Sequence, residues 1–252
     1  MTTVEAVSNG EARPLWQLLF GIVDRPTATF VAVLARRKWW MWAIPLLVIL
    51  LCMAVMIVAR APYDVELARQ QMQRQLDSMP ADQAQAVRAG GMETFTSLPF
   101  ILATGLGVGA VALIIGVVAQ AAVLYFGSLV AGGEVNFGQV FTMSVWTRLP
   151  SAVNSLTLAG FTLIAGRTVR YAGLSALVAV GDLMKDGRNP MVALLGQIDL
   201  FWLWHLLLVG LGLSVVARFS RLKALVLTLI YAVLSLAVVV LPTLLFGGAS
   251  GG

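Results

Sequence analysis

Apolar residues in this chain gather in long runs separated by short polar joints, and a pair of such runs lies near the C-terminus. Residues 198–217 and 224–246 flank the basic joint Arg218-Phe-Ser-Arg221-Leu-Lys223. Each run reaches the roughly 20 residues that a helix needs to cross a hydrocarbon core. Neither carries Lys, Arg, Asp or Glu beyond Asp199. The pair reads as a helical hairpin with its tip in the cytoplasm, because short cytoplasmic loops collect Lys and Arg. The whole pattern predicts an all-α polytopic membrane protein. Its bundle of five transmembrane helices runs over residues 39–58, 98–130, 149–165, 198–217 and 224–246, inside a single membrane domain spanning 14–246. Residues 1–13 read as a disordered tail without a cleavable signal, and 247–252 as a loose tail.

Two short apolar segments precede the first span. Residues 14–23 are too short to cross. Residues 27–37 follow Asp24-Arg25-Pro26, which has the form of a helix start: a capping carboxylate, then proline in the first turn. Both segments either lie along the membrane surface or pack on the bundle. Arg36, Arg37 and Lys38 then mark a cytoplasmic boundary, and Trp39, Trp40 and Trp42 suit the headgroup region.

Residues 60–97 form a long polar, extracytoplasmic insertion. Val65, Ala68, Met72, Leu76 and Met79 share a helical face, with Arg69, Gln73, Arg74 and Asp77 elsewhere. Pro80 separates that helix from a second at 81–89. The second span carries Gly105, Gly109, Ala112 and Gly116, a small-residue stripe that admits another helix at close range. Gly105-Leu-Gly107-Val-Gly109 lacks the spacing of a dinucleotide loop and the Lys-Ser/Thr of a phosphate loop.

Arg148 leaves two readings open. Either residues 139–148 begin the third span and bury Arg148 near the bilayer centre, or 137–148 is an interfacial helix and Leu149-Pro150 opens the span, with Arg148 at the headgroups. Residues 174–180 are apolar but too short to cross, and are either re-entrant or interfacial. Asp199 caps the fourth span, with Trp202 and Trp204 at the outer boundary. Five spans place the N-terminus in the cytoplasm and the C-terminus outside a plasma (inner) membrane.

Composition agrees with lipid as the solvent. Of 252 residues, 59% are hydrophobic and 12% charged, about half the charge of a soluble domain, and the mean hydropathy is +0.89. A net charge of +5 does not signal nucleic acid, because the cations cluster beside apolar runs. Cys52 is the only cysteine and His205 the only histidine, so one chain holds no disulfide and no paired-histidine metal site. His205 and Ser214 are more than two turns apart on one helix, too far to form a nucleophile–base pair. No cofactor is expected and no catalytic constellation emerges. Arg148, Asn154, Asp199 and His205 are the candidate polar groups within the membrane.

The chain resembles the Yip (Ypt-interacting protein) domain family of five-span membrane proteins. The motifs are Pro26-Thr-Ala-Thr-Phe30 before the first span, Phe137-Gly-Gln139 leading to Leu149-Pro150, and three hairpin pieces. These are Asp199-Leu-Phe-Trp-Leu-Trp204, Leu211-Gly-Leu-Ser-Val215 and Ser220-Arg-Leu-Lys-Ala224. Met79-Pro-Ala-Asp-Gln83 is similar to prokaryotic members. The resemblance implies a non-enzymatic membrane scaffold or accessory subunit, in some members of an ABC-type exporter. The insertion and the glycine stripe are then the surfaces for a partner or for a homo-oligomer. The alternative is a small transporter or channel subunit with a polar path at Arg148, Asn154, Asp199 and His205.

Replacing Arg218, Arg221 and Lys223 together with Glu is expected to weaken correct insertion of the last hairpin. Cysteine labelling from each side of the membrane reads the outcome, and unchanged topology would contradict this use of the joint.

Overall fold

A computed structural model describes residues 14–36, 38–89 and 91–246. The two expected tails and Arg37 lie outside the described residues. Among the described residues every regular element is helical. Three helices are each long and apolar enough to cross a membrane: α3 (Trp40–Asp77), α5 (Leu98–Val130) and α11 (Arg221–Phe246). A fourth crossing arises if α9 (Pro190–Gln197) and α10 (Leu200–Val216) are taken together across a 61° bend. α6 (Phe137–Thr147) and α7 (Leu149–Ala165) follow one another across the single residue Arg148. The remaining helices are α1 (Leu15–Asp24), α2 (Pro26–Ala35), α4 (Ala81–Ala89) and α8 (Leu183–Arg188).

The apolar side chains of the long helices point outward. Only 6% of the most apolar stretch of α5 is buried, and 17% of that of α3. Val108, Val111, Ile115, Leu47, Leu51 and Val55 are all exposed. So large an apolar surface is stable only against lipid or another protein.

α1 and α2 pack on each other and on the bundle, which decides between the two readings of these segments. Phe30 and Val33 are fully buried, and α2 lies against α6 and α10. Pro26 opens α2 as expected, but no side chain caps it; Asp24 is instead the last residue of α1 and pairs with Arg25 at 3.2 Å. Proline supplies the helical φ, and its missing N–H leaves one fewer donor for a cap to satisfy.

The first span and the insertion helix are one continuous helix. α3 has 38 residues, about 57 Å, nearly twice the thickness of a hydrocarbon core. Pro62 interrupts the hydrogen bonding without ending it. In the distal part Val65 and Leu76 are buried and Ala68, Met72 and Met79 half-buried, while Arg69, Gln73, Arg74 and Asp77 are exposed. The face read from the sequence is covered at least in part by the insertion itself: α3 meets the 3-10 turn Met92–Thr96, which meets α4.

The helix admitted by the glycine stripe is α3 of the same chain. A β-carbon on Gly105 would stand 3.1 Å from Ile57, and one on Gly109 3.4 Å from Met53. One on Gly116 would stand 3.8 Å from Arg148, whereas Ala112 is exposed. Most of the stripe is therefore filled within the chain and is not a free surface for a second copy. Closer approaches occur where no run of glycines announces them: Gly127 meets Leu227 and Gly212 meets Met143.

The connection after α7 is a folded cap. Asp186 is buried and accepts from the Tyr171 hydroxyl at 2.6 Å, Val180 N at 2.9 Å and Gly181 N at 3.0 Å. These donors, Tyr171 first, hold its carboxyl below the usual carboxylate range. Gly173 has φ +55°, and a β-carbon there would meet three carbonyls at the end of α9. Leu174 N donates to Leu195 O and Ile198 O, so this stretch docks beside the α9–α10 bend.

Gly109→Leu is expected to separate α3 from α5 at a cost of about 1–3 kcal/mol. Thermal unfolding in detergent measures it, and an unchanged transition would show that the contact is not tight.

Candidate functional site

Two prolines prepare the centre of the bundle. Pro45 has no N–H to give the Met41 carbonyl four residues earlier. That carbonyl instead accepts from the Trp146 indole N–H at 2.6 Å, joining α3 to α6 across a fully buried tryptophan. Pro150 likewise cannot continue the hydrogen bonding of α6, and the chain turns at Arg148 before α7 begins. The Thr147 carbonyl, one of the orphan acceptors of a helix end, lies 2.7 Å from His205 Nδ1. A carbonyl only accepts, so Nδ1 carries the proton.

Around that joint the interior polar groups converge. Gln120, 1% exposed in the middle of α5, is the hub. Its amide nitrogen donates to Thr147 Oγ1 at 2.9 Å. Its Oε1 accepts from Arg148 Nε at 2.8 Å and lies 3.2 Å from the Tyr231 hydroxyl. Arg148 Nη2 reaches Gly116 O at 3.5 Å and Tyr231 Oη at 3.4 Å. Tyr231 Oη is also 3.1 Å from His205 Nε2, so one phenolic proton has two acceptors at hand. Four elements are tied together: α5, the α6–α7 joint, α10 and α11.

The guanidinium of Arg148 lies deep along the helices it touches. Gly116 is about 27 Å of helix from Leu98 and about 21 Å from Val130, and Tyr231 is about 15 Å into α11. Arg148 forms no ion pair among the described residues.

All four candidate polar residues line one cavity. Arg148, Asn154, Asp199 and His205 surround a space of about 230 Å³, with Ser151, Gln197 and Trp202. Asp199 is the expected cap of α10, accepting from Trp202 N at 2.7 Å. Asn154 makes no hydrogen bond among the described residues, and Ser151 bonds only within its helix, to Arg148 O at 2.7 Å. Ser214 bonds Leu211 O at 2.7 Å. Among the described residues no three His, Cys, Asp or Glu side chains stand close enough to hold a metal ion.

Arg36, Lys38, Arg218 and Lys223 gather at the end away from the cap, whereas Arg167, Arg170, Lys185 and Arg188 belong to the cap itself. Lys223 Nζ reaches Ala131 O at 3.4 Å, and Phe219 covers Gly133. Arg36, Lys38, Trp39 and Trp42 surround a hollow with Gln139, which also lines a second hollow with Arg218. Lys38 sits over the Trp40 ring at 4.7 Å. Arg221 and Lys223 belong to the first turn of α11.

Gln120 and Tyr231 are the residues sequence reading missed. A signal is present: Gln120 is the only amide side chain in α5 and Tyr231 the only tyrosine in α11.

Gln120→Leu is expected to strand Arg148 and Tyr231 and to destabilise the bundle by about 1–3 kcal/mol. Gln120→Glu, which keeps an acceptor for Arg148, should cost less. Equal stability of the leucine variant, measured by unfolding in mixed micelles, would remove the hub role.

Comparison with curated proteins and with solved structures gives no match. A family model described as Yip1 domain matches residues 20–241. That range takes in every helix from α2 to α10, the polar hub and the side cavity. The chain belongs to the Yip1 domain family of membrane proteins.

Proposed function

We propose that this protein is a non-enzymatic integral membrane scaffold or accessory subunit. The observation that supports it is how the interior polar groups are used. Gln120, Thr147, His205 and Tyr231 bond to one another and to backbone, an arrangement that rigidifies a bundle. The one hydroxyl–imidazole contact in it, Tyr231 Oη to His205 Nε2 at 3.1 Å, is shared with Gln120 and Arg148.

The basic end is cytoplasmic in this reading, with the N-terminus, and the cap and the distal half of α3 are outside a plasma membrane. The depth of Gly116 and Tyr231 along their helices favours Arg148 within the membrane over Arg148 at the headgroups. The α6–α7 pair then forms one broken crossing, which completes five.

What α3 offers outside is polar. Glu66, Arg69, Gln70, Gln73 and Arg74 are exposed on a helix that extends well past the length of a single crossing. This face suits a polar, charge-complementary partner. The family resemblance points to a permease or an adaptor subunit of an ABC-type exporter. A photo-crosslinker at Arg69 or Gln73 is expected to capture one of those subunits in the native membrane. Capture of neither, with a monomer on solubilisation, would end the accessory-subunit reading.

A second reading, a small transporter or channel subunit, draws on the cavity shared by Arg148, Asn154, Asp199 and His205. It requires solute flux by the purified protein alone in liposomes.

A further inference from the structure

The side cavity differs from the hub beside it in that its polar groups are not all used. Arg148 donates through Nε and Nη2, but Nη1 has no partner among the described residues. The amides of Asn154 and Gln197 have none either. Asp199 uses Oδ1 to cap α10, and Oδ2 makes no bond. None of these atoms is fully buried.

Two opposite charges line this one space of about 230 Å³ without pairing. Asp199 stands at the cap of α10. His205, which shares the Tyr231 hydroxyl with Arg148, is six residues further along, about 9 Å down the helix axis. Each charge is pinned: Arg148 by Gln120 and Tyr231, Asp199 by Trp202 N. Half-buried charges in apolar surroundings are costly when unpaired, and here the two form no ion pair.

We propose that the cavity binds a small zwitterion of the phosphoethanolamine class, with its phosphate oxygens on Arg148 Nη1 and the Asn154 amide and its ammonium on Asp199 Oδ2. A guanidinium with a free N–H and a carboxylate with a free oxygen match those two ends through charge-assisted hydrogen bonds. Phe201 and Trp202 line the same cavity, as do Ala172 and Gly196 where the cap meets the α9–α10 bend. A lipid headgroup and a free phosphoethanolamine carry the same chemistry to it.

The test uses the full chain in detergent, with native mass spectrometry during titration of phosphatidylethanolamine, phosphatidylcholine and phosphatidylglycerol of matched acyl chains. Choline has no N–H for Asp199, and glycerol has no cation. Phosphatidylethanolamine is expected to bind at least about tenfold more tightly than either. Asp199→Asn keeps the helix cap, so its lipid-free melting temperature should match the parent while the preference for ethanolamine disappears. Asn154→Ala should weaken all three lipids. Soluble phosphoethanolamine then identifies the source: displacement of bound lipid shows that the headgroup alone suffices, and no displacement makes the lipid itself the ligand. Equal binding of the three lipids, or an ethanolamine preference retained in Asp199→Asn, overturns the proposal. The scaffold reading is untouched by that outcome, since it rests on the hub and on the outer face of α3.

Discussion

A knot of hydrogen bonds in the middle of an apolar bundle governs this structure. Gln120 holds it, because one carboxamide both donates to Thr147 and accepts from Arg148. Water cannot substitute for a lost partner in a dry interior, so each group depends on the others. The knot needs a broken helix. Pro150 has no N–H for the Trp146 carbonyl, so the hydrogen bonding of α6 stops there, and the Thr147 carbonyl at that break is taken by His205. Pro45 performs the same service one layer away, releasing the Met41 carbonyl to Trp146. Helix defects and polar side chains are matched in pairs.

The arrangement is that of a protein whose solvent is lipid. Polar groups stand at the centre, while leucine, valine and isoleucine cover the outside of the long helices. Apolar burial adds little between helices in hydrocarbon, which leaves packing and hydrogen bonds to hold the bundle. Small residues serve the packing: Gly105 and Gly109 let α5 lie on α3, Gly127 brings it to α11, and Gly212 brings α10 to α6. Hydrogen bonds serve specificity, because only one register of α5, α10 and α11 brings Gln120, His205 and Tyr231 together.

The architecture was largely readable from the sequence, since apolar run length and flanking cations report directly on solvent. The cap at Asp199, the break at Leu149-Pro150 and the sided helix after Tyr63 follow from local chemistry, and local chemistry is what a sequence displays. The hub was not readable as a hub. Gln120 and Tyr231 are 111 residues apart, and nothing local says that they share a hydroxyl proton. The helix start at Asp24 failed for the opposite reason: its signal was local, but α1 continued through the carboxylate that was to cap α2. The glycine stripe meets another helix at Gly105 and Gly109 but not at Ala112, and sequence alone does not say whether such a contact lies within one chain or between two. Each of the four candidate polar residues stands out singly as polar in apolar company, and only the fold, with its break between α6 and α7 at Arg148, brings them to one cavity.

His205 is the only histidine, so its ring reports on the knot without assignment ambiguity. Nitrogen-15 NMR of the labelled protein in lipid tests the central claim most directly. The structure predicts a proton on Nδ1, held by the Thr147 carbonyl and slow to exchange with water. An Nδ1 without a proton, or one exchanging freely with solvent, would mean that the knot is not tied.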